Sequence, residues 1–590
     1  MKSFFLAAIL IGLAWPVSAS EYFVDKGGDD DNPGSRMQPF KSIQKAASLM
    51  QPGDVCLVSK GLYRETVRPA RSGKPGIPLF FQAAPGESVS ISGADVVTDW
   101  QRFAGNVYRA KAGVVNQMLV DDLPVVRSPM IPQESKEPRS AWYYDEAGGY
   151  VYIRLSRNAN PEGHYIEVQT RDWGLDAGGL GHIELKGFNL KACAVNLAGS
   201  RMCRLNDCHL WWAGERAGLT NAISGVSNAV PSVAGILMGG KDNEIVDCSI
   251  IGTSGFGLVM LPGGLNNCVV NCLFKGTDHS TGVPIGILAQ GTAPLIRKVT
   301  VMNYAGGAIV CSNVLNARIE YNDLHHAGLG RTNTCLVQLS GDGKGTVLAY
   351  NWIHDNSAIG GTGIRLEGPV ENFVVRQNVI WGQPGSAITM ISPSRFNFIF
   401  NNTCSANGAS LDAERCGNET DFRETRIINN ILTGPLWPSC GGELPGTLQW
   451  KNNYTGTTPG FVDESNRNFT LAVNSPCIDA GQEEPEFTDE FTGKLPDIGA
   501  YEFGKEPFIP GCHVNESANK VVTPVVKIIM ESETESAEIR YTLDGRTPDL
   551  SSPVYTGSVP VACGALVRLK AFRAGMEESD TAGIQLRRIE

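Results

Sequence analysis

RIEYNDLHHAG (Arg318–Gly328), VLAYNWIHDNS (Val347–Ser357) and VVRQNVIWGQP (Val374–Pro384) are three versions of one pattern. Each sets apolar residues at alternate positions, then Asn, then apolar residues again, and a period of two belongs to strands. Working outward, the form recurs with Gly187, Asp207, Asp247, Asn271, Asn303, Asn322, Asn351, Asn378, Asn402, Asn430 and Asn453 at the matching place, 19 to 40 residues apart. Short strands repeated every twenty-odd residues, with no helical pattern between them, predict a solenoid whose coils bury their apolar sides only by stacking. Asn and Asp suit a tight corner because they tolerate the left-handed backbone region, and stacked Asn side chains can form a ladder. Cys208, Cys248 and Cys272 follow the column by one place and read as an inward stack of small apolar thiols rather than metal ligands.

A second column precedes each corner: GILMGG from Gly235, GLVML from Gly257, GILAQG from Gly286, LVQLSG from Leu336, GIRLEG from Gly363 and AITMIS from Ala387. Its apolar positions point inward, so the residues between them point out. One outward row is Leu237, Val259, Leu288, Gln338, Arg365 and Thr389; the other is Gly239, Leu261, Gln290, Ser340, Glu367 and Ile391. Charge on this face is thus expected on one coil only, with Arg365 and Glu367 about 6–7 Å apart along one strand. Such a couple is either a site or an ordinary surface ion pair. Past the first column, His325 and His326 have the same offsets from Asn322 as His354 and Asp355 have from Asn351, which places His325 about 4.8 Å from His354 and His326 over Asp355. Trp381 falls in the row of His354 and offers a face on which a sugar ring could stack. These residues are either a proton-transferring or ligand-binding group or a polar ladder capping a corner. Loops between the columns contribute Arg331, Asp342 and Lys344, and the longer segment Ser405–Thr425 adds Asp412, Glu414, Asp421 and Glu424; Asp278 and His279 lie in another loop.

A net charge of −11, with Lys and Arg scattered, argues against nucleic acid, which is bound by neutralising phosphates. It leaves room for an anionic sugar polymer met by a local basic cluster. Lys2, the apolar run Phe4–Ala14 and Val17-Ser18-Ala19 read as a cleaved signal peptide over residues 1–20, hence a secreted, periplasmic or cell-surface protein. That run is well short of the roughly 20 residues needed to span a bilayer. Fifteen cysteines, an odd number, leave at least one outside any intramolecular pair. The acidic run Asp25–Gly34 lacks the spacing of a calcium loop and reads as a turn.

Tyr22–Asp54, GLYRE (Gly61–Glu65), PARSG (Pro69–Gly73), AAPGE (Ala83–Glu87), ISGAD (Ile91–Asp95), SPCIDAG (Ser475–Gly481) and DIGAYEFG (Asp497–Gly504) resemble the flanks of secreted right-handed parallel β-helix proteins of the pectate-lyase-like superfamily. The resemblance implies an all-β fold, a right-handed parallel β-helix over 21–505. Ala537–Val559 is similar to the small β-sandwich at the C-terminus of chitobiases and β-hexosaminidases, implying a linker at 506–521, that module at 522–590, and Cys512 with Cys563 as a candidate staple. Ala349–Gly368 is similar to the segment of β-helix β-xylosidases in which G-I-x-L-D carries the nucleophile, and the matching position is Glu367. Where that family supplies its acid/base carboxylate on the next coil, this chain has SAITMIS (Ser386–Ser392).

The expected function is therefore a secreted polysaccharide-degrading enzyme, a glycoside hydrolase acting on a plant or algal glycan through paired carboxylates. Glu367 is the first, and Asp355, Asp342 or an acid of the longer segment Ser405–Thr425 the second. Arg365, His325, His326, His354, Arg331, Lys344, Gln338 and Trp381 are the expected substrate contacts. A polysaccharide lyase, with Arg365, Lys344, Arg331 and the histidines around a uronate, is the alternative, and a noncatalytic glycan-binding surface protein is the second. No metal and no cofactor are expected for hydrolysis; Ca²⁺ enters only with the lyase. The partner is a polysaccharide or oligosaccharide, and the chain is expected to be a monomer.

Overall fold

Alternating apolar residues that repeat once per coil have one way to be buried together, and strand after strand lies parallel to the one a coil before it in the computed structural model. The structure describes residues 19–590 apart from 134–138, 157–158, 214–233, 254, 277–283, 415–420, 441–447, 485–490, 513–525, 529–537, 543–547, 556–558, 562–565, 573–581 and 586–590. The signal-peptide segment up to residue 18, Asp278, His279 and Cys563 lie outside the described residues.

One coil shows the design. Cys335–Ala349 supplies two faces, with a break of register between Asp342 and Thr346; Trp352–His354 supplies the third. The chain then returns through 355–361 to Thr362, one coil further on. The next coil pairs Val337 with Ile364, Leu348 with Val375, and Ile353 with Ile380, and all six side chains are fully buried. At roughly 1.5–3 kcal/mol for each aliphatic side chain removed from water, stacking is what stabilises a coil. The first two faces join in a 23-stranded sheet and the third is a 12-stranded sheet, counted among the described residues.

The corner column turns out to span two neighbouring positions. The left-handed residues are Asp207, Asp247, Asn271, Lys298, Tyr321, Tyr350, Gln377, Asn401, Asn429 and Asn452. The inward place one residue later holds Cys208, Cys248 and Cys272, then Val299, then Asn322, Asn351, Asn378, Asn402, Asn430 and Asn453. From Asn322 onward the column Asn is therefore the ladder residue and not the turn. Asn303 belongs to the opposite corner, in line with His326 and Asp355. The unfavourable backbone at Tyr321 and Tyr350 is offset by their rings, stacked 4.9 Å apart with Arg297 and Arg376 over them. In the ladder, the backbone N–H and Nδ2 of each Asn donate to Oδ1 of the next, at 2.9 to 3.1 Å from Asn322 through Asn453.

The helix Ile43–Leu49 buries Ile43, Ala46 and Ala47 on the first coils. Asp30 of the acidic run accepts from the N–H groups of Lys41 and Ser42, so that run is a turn. The stretch assigned to the solenoid is interrupted: the described residues of 94–169 build two further sheets, mostly antiparallel, around Trp142, Val151 and Ile153. Fully buried Glu167 ties them to the coils through Arg64 at 2.7 Å and Lys191 at 2.5 Å. After the last coil the chain folds back along the third face, where Phe469, Ala500 and Tyr501 pack on Val379 and Trp381. Beyond residue 525, the described strands of the C-terminal module, such as Glu538–Thr542 and Leu566–Phe572, pair antiparallel.

Candidate active site

On the outward side of the first face, registers align Leu288, Val310, Gln338, Arg365, Thr389 and Asp412 in one row. The second row runs through Ser312, Ser340 and Glu367, then Ile391 and Glu414. Two coils were not placed in these rows by the sequence reading. One carries Val310 and Ser312. The other, Ala409–Glu414, is a strand and not the loop expected from its length, so charge is not confined to the coil of Arg365 and Glu367. Its form, ASLDAE, repeats the apolar alternation and was the signal that could have revealed it.

Arg365 and Glu367 do not form an ion pair, and neither Glu367 nor Glu414 makes a side-chain hydrogen bond or ion pair among the described residues. All three are half-buried. Arg365 Nε and Thr389 Oγ1, on adjacent strands, are buried without a hydrogen-bond partner among the described residues. Asp412 is committed differently: it accepts from the N–H and Oγ of Ser439 at 3.0 and 2.6 Å and so holds the next turn. Toward the earlier coils this face becomes apolar, with Phe256, Val259, Leu288 and Val310 packed outside the sheet. One strand, Ser386–Ile391, lies between Glu367 and Glu414, so two strand spacings set their backbones about 9.6 Å apart.

The other expected partners of Glu367 stand elsewhere. Asp355 follows the third-face strand and bonds His354 Nδ1 at 2.8 Å, so it does not pair with Glu367 across the first face. Asp342 lies at the turn after Ser340, where Asn372 and the N–H of Lys344 donate to it and hold its pKa below the usual carboxylate value. Gln338 stands next to Arg365, while Arg331 precedes the strand Cys335–Ala349 and Lys344 sits at the register break between its two faces.

The histidines form a separate group on the third face. His325 pairs with His354 and His354 with Trp381; the rings stack at 4.8 Å and 4.2 Å. Trp381 is only 5 % exposed under Phe469, so it is not an open platform for a sugar. Asp323, missed in the sequence although D-L-H puts it on the same side of the strand as His325, bonds His354 Nε2 at 2.9 Å and lies 3.9 Å from His325 Nε2. His326 Nδ1 lies 2.6 Å from His325 Nδ1. Burial pushes the His325 pKa down to about 4, and the neighbouring imidazoles add to this against Asp323. Burial also opposes charge on His354, but Asp323 and Asp355 at its two nitrogens hold its pKa above the usual value. Asp323, His325 and His354 bring one donor atom each within 4.8 Å of one another.

Among known families, residues 234–404 match the right-handed β-helix region, 518–582 the chitobiase/β-hexosaminidase C-terminal domain, and 26–69 a family described as Protein of unknown function (DUF1565). A Bacillus subtilis (strain 168) protein, uncharacterized protein YwoF, is 32 % identical over 79 residues, 13 % of this chain and 17 % of that protein's length. Of solved structures, XylC in complex with xylose is 17 % identical over 71 % of this chain and 69 % of its own, with a TM-score of 0.44. Pectate lyase Pel9A is 16 % identical over 82 % and 97 %, with a TM-score of 0.40. A PL6 family polysaccharide lyase from Pseudopedobacter saltans is 12 % identical over 79 % and 96 %, with a TM-score of 0.41. These likenesses are too distant to align side chains. The chain is a right-handed parallel β-helix followed by a chitobiase/β-hexosaminidase C-terminal-type module.

Proposed function

We propose that this chain is an exported glycoside hydrolase that cleaves a polysaccharide on the outer side of the first face, with Glu367 and Glu414 as its carboxylate pair. The observation that carries this reading is their placement: two carboxylates without protein partners among the described residues, in one outward row, two strands apart. From backbones about 9.6 Å apart, side chains leaning together reach the roughly 6.5–9.5 Å that leaves room for a water beside the sugar. The general acid protonates the leaving oxygen while the base activates that water, and the anomeric configuration inverts. Ile391 floors the gap between the two carboxylates. The match at 518–582 to a domain named for chitobiase and β-hexosaminidase is in keeping with a glycan substrate.

A second reading has its own support. Arg365, half-buried on the same face and without a side-chain partner among the described residues, suits the carboxylate of a uronate, which a lyase would hold while a base removes the neighbouring proton. One experiment separates the two: incubation with a panel of neutral and uronate polysaccharides, following new reducing ends and ultraviolet absorbance of unsaturated products. Reducing ends without absorbance, lost by about 10³-fold or more in both Glu367→Gln and Glu414→Gln, are expected for a general acid–base pair. Absorbance rising with the reducing ends would replace hydrolysis by elimination. Full activity in either variant would remove that residue from the chemistry.

A further inference from the structure

We infer that Asp323, His325 and His354 form a binding site for a divalent transition-metal ion on the third face, separate from the carboxylates of the first. Three features of the geometry point to it. The donors converge: one Asp323 oxygen faces His354 Nε2 at 2.9 Å, and the other faces His325 Nε2 at 3.9 Å. Ligands bonded at about 2.0–2.1 Å with tetrahedral angles stand about 3.3 Å apart. The first gap therefore has to open by a few tenths of an ångström and the second to close by about half of one. The three donor atoms stand within 4.8 Å of one another, so the two imidazole nitrogens close by up to about 1.5 Å as the stacked rings, 4.8 Å apart, tilt toward the ion.

Next, both rings are held from behind at the nitrogen that would not bind metal. Asp355 bonds His354 Nδ1 at 2.8 Å, and His326 Nδ1 lies 2.6 Å from His325 Nδ1. Metal-binding histidines characteristically have their remote nitrogen engaged in this way, which fixes the ring's orientation and makes Nε2 the better ligand. Finally, the surroundings suit a bound ion that keeps a solvent ligand. The three side chains are 14 to 23 % exposed; Trp381 walls one side at 4.2 Å from the His354 ring; and Gly511 comes so close that a Cβ there would stand 3.0 Å from Asp323 Cβ. Two imidazoles and one carboxylate favour Zn²⁺, Ni²⁺ or Cu²⁺ over the oxygen-seeking Ca²⁺ and Mg²⁺. With His325 on one coil and His354 on the next, the ion would clasp two coils together.

The test is calorimetric titration of the metal-freed full chain with ZnCl₂ and NiCl₂, with CaCl₂ and MgCl₂ as comparisons. One equivalent of Zn²⁺ or Ni²⁺ is expected to bind with micromolar or tighter affinity, without measurable Ca²⁺ or Mg²⁺ binding. Affinity should fall at least tenfold in Asp323→Asn and in His325→Asn, and stay unchanged in His182→Asn, whose ring lies on an early coil. The buried thiols could also hold zinc, so X-ray absorption of the wild-type zinc-loaded chain is the measurement that survives misfolding of a variant: nitrogen and oxygen neighbours alone are expected. Absence of stoichiometric binding, binding that persists in both variants, or a sulfur neighbour would each overturn the site. A closed Asp323–His354–Asp355 ion bridge with no metal is what the first of these outcomes would leave.

Discussion

Replacing Asn351 by alanine should show how much of the solenoid's stability runs through its internal ladder. The Asn351 side chain donates to Ile319 O at 3.0 Å and to Asn378 Oδ1 at 2.9 Å, and accepts the backbone N–H and Nδ2 of Asn322, both at 2.9 Å. Truncation orphans two donors of Asn322, and both residues are fully buried. A buried donor left without a partner costs about 1–3 kcal/mol, so the expected loss is about 2–6 kcal/mol before any cavity is counted. At the ladder's end, Asn453 is only half-buried, so water can reach the groups that Asn453→Ala exposes, and about 1 kcal/mol is expected. Urea unfolding followed by far-ultraviolet circular dichroism compares the two. Asn351→Asp keeps the acceptor for Asn322 while putting a carboxyl where ionisation is penalised, so its stability should fall as pH rises above the usual aspartate value. If Asn351→Ala cost no more than Asn453→Ala, the ladder would be packing rather than hydrogen bonding, and the argument from orphaned donors would fail.

Three further outcomes follow from particular contacts. Burial, with the nearby Asp497 carboxylate adding to it against the bond from the Asp497 N–H, pushes the Glu502 pKa from 4.5 up to about 7. The folded chain thus holds a proton that the unfolded chain releases. Stability from this group is full below about pH 4.5 and lost as pH rises through about 7, and the partly exposed carboxyl is discounted to ~1–2 kcal/mol. Glu502→Gln should flatten that slope in thermal midpoints measured between those values. Glu167→Gln leaves Arg64 and Lys191 around a buried neutral amide and should cost about 3–5 kcal/mol, seen first as protease cleavage within 94–170. Gly257→Ala puts a Cβ 2.6 Å from Gly286 O and from the Tyr304 hydroxyl, so the coil must shift; a thermal midpoint unchanged from the parent would contradict that crowding.

The solenoid was legible because its cause is periodic: each coil repeats the same inward residues, and a repeat survives insertions of unequal length. What misled was the corner. Stacked rings and overlying arginines let Tyr321 and Tyr350 adopt a conformation that sequence alone assigns to Asn or Asp, and the Asn one place later carries the ladder instead. The stacking of His325, His354 and Trp381 could be read from equal offsets, since register carries over between neighbouring coils. Pairing Glu367 with Asp355 or Asp342 could not be judged that way. Asp355 stands at the corner after the third face and Asp342 at the turn after the first, and which face a residue joins depends on where the chain turns, which the insertions at 341–345 and 356–361 obscure. The two sheets inserted at 94–169 left no mark in the repeat, because they contribute nothing to it.

The two faces differ in what covers them, and this decides where a polymer can lie. On the third face the returning chain lays Phe469, Tyr501 and Phe508 against Trp352 and Trp381, with Tyr501 accepting from Trp352 Nε1 at 2.9 Å, and Gly511 closes over Asp323. Aromatic faces that could stack on sugars are therefore spent on the protein itself, and the polar group beside them is left a small opening suited to an ion and its water. Among the described residues, the first face keeps Glu367, Glu414 and Arg365 without side-chain partners, in rows running from coil to coil. Substrate binding has to pay the desolvation of those charges, which is repaid only by a ligand bringing hydroxyls or a carboxylate at matching spacing. Consecutive coils repeat at about 4.8 Å, close to the length of one sugar ring, so a chain lying along the rows meets a new pair of side chains with each residue it adds. Lengthening the oligosaccharide should therefore lower KM stepwise until the rows are filled at the apolar end, near Val310 and Leu288.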